Sequence, residues 1–204
     1  AAVPWLALKN GSGPLVQELP LLEPQQQALL LQSLAQRGDF NSLEAVSRAV
    51  DSPVPLVRRA AIAALGGAGD MSAVPVLLRA LRELKAPADQ RAVELALVDL
   101  GGGSATDDLI TQDLNSSSVA LRVPLLEVVS RRLGPAANPL LFREANNPSP
   151  AVANAALRAL GRTARPGEVP ALLSILAESY HTDIFGEVEN AAAQALERIQ
   201  LPAE

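Results

Sequence analysis

LVRRAAIAALGGAGDMSAVPVLLRAL, residues 56–81, is the stretch whose reading decides the fold. It reads as one helix, a Gly-rich break ending at Asp70, and a second helix opening near Pro75. Either it is a local hairpin or it is one copy of a unit that fills the chain. Leu65, the last apolar residue before the break, tests this. Its equivalents are Leu34, Leu100, Leu133, Leu160 and Leu196, giving successive gaps of 31, 35, 33, 27 and 36 residues. Leu65, Leu100, Leu133 and Leu160 are each followed by Gly (Gly66, Gly101, Gly134, Gly161), the residue expected to stop a helix by turning left-handed.

Counting back from each anchor Leu gives regular columns. Four residues earlier stand Leu30, Ala61, Ala96, Val129, Ala156 and Ala192, and five earlier Leu29, Ala60, Leu95, Val128, Ala155 and Ala191, all apolar. Two earlier stand Gln32, Ala63, Val98, Arg131, Arg158 and Gln194, and six earlier Ala28, Arg59, Glu94, Glu127, Asn154 and Asn190, mostly polar. We read positions 0, −4 and −5 as a buried face and −2 and −6 as an exposed one, so that one amphipathic helix is written six times. A second helix follows most anchors, with a Pro in its first turn and a Leu pair one or two residues later: Pro75 with Leu77-Leu78, Pro139 with Leu140-Leu141, Pro170 with Leu172-Leu173. FNSLEAVSRAV after Asp39 and DDLITQDL after Thr106 are weaker copies. Asp51, Asn115 and Asn147 stand at the turns into the long helices and are expected to cap them. Residues 1–204 thus read as a single repeat domain, with an irregular N-terminal cap over 1–22 and repeats over 23–201.

Composition agrees. The 204 residues are 49% hydrophobic, yet only Trp5, Phe40, Phe142, Tyr180 and Phe185 are aromatic. The apolar material is Leu, Ala and Val, and the β-branched and aromatic runs that mark strands are missing. Net charge is −5, against the basic surplus of a nucleic-acid binder, so no nucleic-acid partner is expected. The absence of Cys removes disulfides, thiolate metal sites and thiol catalysis, and leaves the compartment open. No apolar run is long enough to span a membrane, so no membrane insertion is expected. The chain opens Ala-Ala, without Met or a signal-peptide pattern, and reads as a processed chain or a fragment of a larger bacterial protein.

The pattern resembles a known family. The Thr-Pro-Leu-His turn of ankyrin repeats and the aromatic signature of tetratricopeptide repeats are missing. The stretch from Asp51 to Leu81, with Val57-Arg58, Ala64-Leu65-Gly66, Gly69-Asp70 and Ala73-Val74-Pro75, resembles the short HEAT-like repeat of phycobilisome lyase-like proteins. Residues 148–176 repeat it, with Asn154 near the usual Arg, while the match is faint before residue 23 and in the third and fourth copies. The resemblance implies an all-α, right-handed α-α superhelix of about six helical hairpins. It implies a non-catalytic module that binds a protein partner on its concave surface and needs no cofactor. On that surface the −6 and −2 columns form a ladder: Arg59, Glu94, Glu127, Arg131, Asn154, Arg158, Asn190 and Gln194. The alternative implied by the same resemblance is a bilin lyase-like subunit or pigment-handling factor, against which stand the absent Cys and the scarce aromatics. A HEAT-like DNA glycosylase would need a basic groove with aromatic residues, and the composition offers neither.

Nothing else in the sequence carries chemistry. His181, the one histidine, sits in SYHTD and reads as a solvated turn residue. Gly101-Gly102-Gly103-Ser104 follows a helix and lacks the Lys of a phosphate loop, so it reads as a helix terminus. Asp107 and Asp108 read as caps of the next helix. Asn10-Gly11-Ser12 and Asn115-Ser116-Ser117 match glycosylation acceptors, triplets that arise often by chance. Trp5 reads as part of a cap over the first helix pair, and Tyr180 and Phe185 as packing of the last.

Overall fold

The structure is a computed structural model that describes residues 13–37, 40–179 and 184–200. Trp5, Asn10, Tyr180 and His181 lie outside the described residues, as does the side chain of Phe185. The described residues form α1 (Gly13–Glu18), α2 (Pro24–Arg37), α3 (Phe40–Ala49), α4 (Pro55–Ala68), α5 (Val74–Glu83) and α6 (Pro87–Asp99). There follow α7 (Gly103–Ser116), α8 (Val119–Leu133), α9 (Asn138–Ala145), α10 (Pro150–Thr163), α11 (Val169–Ser179) and α12 (Phe185–Gln200), with short 3-10 turns and, among the described residues, no strand. Proline opens α2, α4, α6 and α10 as well as the first turns of α5, α9 and α11, where its missing N–H would have no intrahelical acceptor.

The chain divides into two compact units, Ala1–Thr106 and Asp107–Glu204, with α7 crossing the division. Each is an all-α stack of helical hairpins, the solenoid arrangement expected from the repeats. The anchor leucines fall on the even-numbered helices, Leu100 one residue past the end of α6. In the first unit α4 packs against both α2 and α6; in the second, α10 packs against both α8 and α12. The shorter helices pack chiefly on the long helix that follows them: α5 on α6, α9 on α10, α11 on α12. The stretch 56–81 therefore holds not one hairpin but the second helix of one and the first helix of the next, joined by the turn around Gly69.

The buried face differs from the expected one. At 3.6 residues per turn, position −4 lies about 40° from the anchor but −5 lies about 140° away. The −4 column is buried in five of six copies, from Ala61 to Ala192. The −5 column is buried only in the second unit, at Val128, Ala155 and Ala191; in the first, Leu29 and Leu95 are exposed and Ala60 is half-buried. The core is completed instead by position −3, about 60° from the anchor, where Leu31, Ile62, Leu97 and Leu157 are fully buried. Each such side chain contributes about 1.5–3 kcal/mol. Two anchors are less covered than expected: Leu133 is half-buried and Leu196 is exposed.

The glycines after the anchors also divide. Gly134 has φ +54° at the end of α8 and is the left-handed stop expected of it. Gly66 and Gly161 lie inside α4 and α10, and both are buried. A Cβ at Gly66 would stand 2.6 Å from Ala96 Cα on α6, and one at Gly161 3.2 Å from Ala191 Cα on α12. These glycines let neighbouring long helices approach backbone to backbone.

The turn residues do different work from that expected of them. Asn147 does act locally, its Oδ1 accepting the Ser149 N–H at 3.0 Å just before α10. Asp51 instead receives both terminal nitrogens of Arg79, at 2.7 and 3.1 Å, and Asn115 Oδ1 receives Arg143 at 2.7 Å. In both cases the arginine lies 28 residues further along, one repeat away, and four residues after the Pro of its helix. The Asp51 contact, above all its hydrogen bonds, raises the pKa of the Arg79 guanidinium. Asp107 and Asp108 lie inside α7 rather than before it, and Asp107 pairs with Arg132 of α8 at 2.6 Å. The actual cap of this kind is Asp70, whose carboxylate accepts the Ser72 N–H at 2.8 Å. Hydrogen bonds from the Ser72 side chain and backbone hold its pKa below the ordinary value.

Candidate partner-binding site

The −6 and −2 positions sit about 120° and 160° from the anchor, on the side of each long helix away from the core. In the first unit the ladder supplies Arg59 on α4 and Glu94 on α6. Arg59 lies 3.4 Å from Asp89 of α6, and Glu94 pairs with Arg91 at 3.0 Å. The stronger partner of Asp89 is Arg58, at 2.5 Å, whose Nη1 also donates to Ser52 O at 2.8 Å. Asp89 is buried and Arg58 nearly so, so this pair fastens α4 to α6 and to the turn before α4. Neither Arg58 nor Asp89 was singled out as a site from sequence. Val57-Arg58 lies in the repeat motif, but its partner 31 residues on leaves no local signal.

In the second unit the ladder supplies the other six residues. Glu127 of α8 pairs with Arg162 of α10 at 2.5 Å, and Arg158 of α10 with Glu187 of α12 at 3.2 Å. Arg131, one turn beyond Glu127, is exposed, and no hydrogen bond or ion pair engages it among the described residues. Asn154 is half-buried, its Oδ1 enclosed without a hydrogen-bond partner. Asn190 and Gln194 are exposed on α12, and Gln194 Oε1 lies 2.6 Å from where a Cβ on Gly161 would stand. The structure thus brings Glu127, Arg131 and Arg158 onto one connected face with Arg162 and Glu187. Arg59 and Glu94 are each tied into pairs of their own.

Beside the ladder positions of the first unit stand exposed aliphatic side chains, of which Leu29 and Leu95 belong to the −5 column expected in the core. Leu29 is 66% exposed, Leu56 42% and Leu95 38%, with Ala63 also exposed between them. They occupy positions −5, −9 and −2, all within about 60° of one another around the helix.

The remaining chemistry is sparse. Among the described residues no group of three or more His, Cys, Asp and Glu is placed to hold a metal ion, and no helix is long and apolar enough to cross a membrane.

Stacked hairpins of this length, with arginine–carboxylate fasteners between successive long helices, define an α-helical repeat protein. The family model of HEAT repeats matches residues 14–98 and 106–200, and the chain belongs to the HEAT-repeat family. Proteins of this family generally serve as interaction scaffolds and are typically non-catalytic. Among curated proteins none matches the chain. Among solved structures, the crystal structure of an engineered protein from a structural genomics consortium is similar, with 18% identity, a TM-score of 0.44, and coverage of 92% of this chain and 95% of that one.

Proposed function

We propose that the chain is a non-catalytic module that binds a protein partner along the outward side of its long helices, over Arg59, Glu94 and the aliphatic row beside them in the first unit and over Glu127, Arg131, Asn154, Arg158, Asn190 and Gln194 in the second. The observation that carries this reading is the exposure of Leu29, Leu56 and Leu95 on α2, α4 and α6. At the same −5 position the second unit buries Val128, Ala155 and Ala191, whereas in the first unit Leu29 and Leu95 stand in solvent. Exposed aliphatic side chains together with fixed polar groups, here the paired Arg59 and Glu94, are the ingredients of a protein interface. The scaffold is held by packed helices, so its side chains lose little freedom when a partner arrives.

The test is a pull-down from a lysate of the source organism with three baits: wild type, Leu29→Gln/Leu95→Gln, and Arg131→Glu/Arg158→Glu. Both substitutions are on exposed side chains, and thermal melts should stay close to wild type. The reading expects the leucine variant to lose the partners that the wild type retains. Recovery of the same partners by all three baits would refute it.

A further inference from the structure

The second unit carries eight arginines and no lysine against twelve carboxylates, so as a whole it is acidic. One face reverses that sign. Glu127 and Arg131 are one turn apart on α8, and Arg158 and Arg162 one turn apart on α10. The 2.5 Å contact between Glu127 and Arg162 brings these two helix faces together, and Glu187 joins from α12 through Arg158. Three arginines thus stand on this face with two carboxylates, which pair with Arg158 and Arg162. Arg131 is exposed without a partner among the described residues, while Arg158 and Arg162 keep about half of their side-chain surface open to solvent. A guanidinium offers five donors in a planar fork, and a single carboxylate contact leaves most of them available.

We propose that this face receives an acidic segment of a protein partner, whose carboxylates engage Arg131 and compete with Glu187 and Glu127 for the free sides of Arg158 and Arg162. This rests on the reading of the long-helix side as a protein-binding surface and adds the partner's chemistry. The carboxylate class follows from charge: on this face three arginines meet two carboxylates. A nucleic acid fits less well, because its phosphates extend beyond a patch this small onto a surface of their own sign. A short Asp/Glu segment needs only the patch.

The test uses the full chain and a fluorescein-labelled peptide rich in Glu and Ala, read by fluorescence anisotropy at two salt concentrations. The wild type should bind it, more weakly at higher salt, and should ignore the same peptide with Gln in place of Glu. Arg131→Gln/Arg158→Gln should weaken binding by about tenfold or more. Glu187→Gln, which frees Arg158 from its competitor, should strengthen it, an effect that a merely structural role for the arginines does not give. Absent binding, unchanged affinity in the arginine variant, weaker binding in Glu187→Gln, or tighter binding of a labelled DNA duplex would each overturn the proposal. If the peptide result fails while the leucine bait still loses its lysate partners, the interaction surface stands and the acidic segment falls. If both fail, both readings fall together.

Discussion

Gly66 and Gly67 are neighbours in the last turns of α4, and the same substitution should move stability in opposite directions at the two. A glycine inside a helix costs about 0.5–1 kcal/mol relative to alanine, from the freedom it has in the unfolded chain. At Gly67 a Cβ would meet nothing within 4 Å, so Gly67→Ala should realise that gain. At Gly66 the Cβ would stand 2.6 Å from Ala96 Cα, 2.9 Å from Ala96 Cβ and 3.0 Å from Ala96 O. Carbon atoms rest at about 3.5–4.0 Å, so α6 would have to retreat by about 1 Å and loosen Leu97 and Val93 with it. The obstacle is backbone, which cannot rotate aside. Overpacking of this kind costs about 1–3 kcal/mol, more than the propensity gain returns. Gly66→Ala should therefore be destabilised by about 1–2 kcal/mol and Gly67→Ala stabilised by up to about 1 kcal/mol. Urea denaturation followed by far-UV circular dichroism measures both. A Gly66→Ala midpoint at or above that of wild type would refute the close approach of α4 and α6.

Three further outcomes follow from the same contacts. Asp89→Ala leaves the nearly buried Arg58 without its 2.5 Å acceptor and should cost about 3–5 kcal/mol in urea denaturation; the double variant Arg58→Met/Asp89→Leu should recover most of it. Asn138 is fully buried; its Nδ2 donates to Thr163 O and Glu168 Oε2 at 3.0 and 2.6 Å, and its Oδ1 accepts from the Thr163 hydroxyl at 2.6 Å. Asn138→Ala should lower stability by about 1–3 kcal/mol, and a loss within the error of denaturation would show that water replaces the amide. The native pKa of Asp70 lies below its ordinary value, so its contribution is complete above that ordinary value and is lost as pH falls through the lowered native one. The stability gap between wild type and Asp70→Asn should accordingly be present at neutral pH and close in acid; a gap that widens as pH falls would contradict the Ser72 hydrogen bonds.

The anchors Leu34, Leu65 and Leu160, the succession of anchor-bearing helices and the all-α class were legible because they depend on periodicity, which a sequence displays directly. Face assignments were legible only in part. Leu29 and Leu95 are apolar like Val128 and Ala155, and apolarity alone does not say whether a neighbouring helix covers a position 140° from the anchor. Gly66 and Gly134 follow equivalent leucines, but one serves packing and the other a left-handed turn. That distinction lies in what stands opposite, a residue 30 positions away in one case and none in the other. The polar ladder was visible as a column. That Arg158 would be shared with Glu187 and Arg131 left open depends on how long side chains reach between helices, for which the repeat period carries no signal.

The pairs Arg79–Asp51 and Arg143–Asn115 tie chain length to alignment, since each arginine meets a residue 28 positions upstream, Asp51 in a turn and Asn115 at the end of α7. Adding or removing a whole hairpin preserves that spacing for every fastener that remains, whereas an insertion of a few residues inside one helix would carry its guanidinium past its mate. Growth or shortening of this array is therefore quantised: tolerated by the module, penalised by the residue.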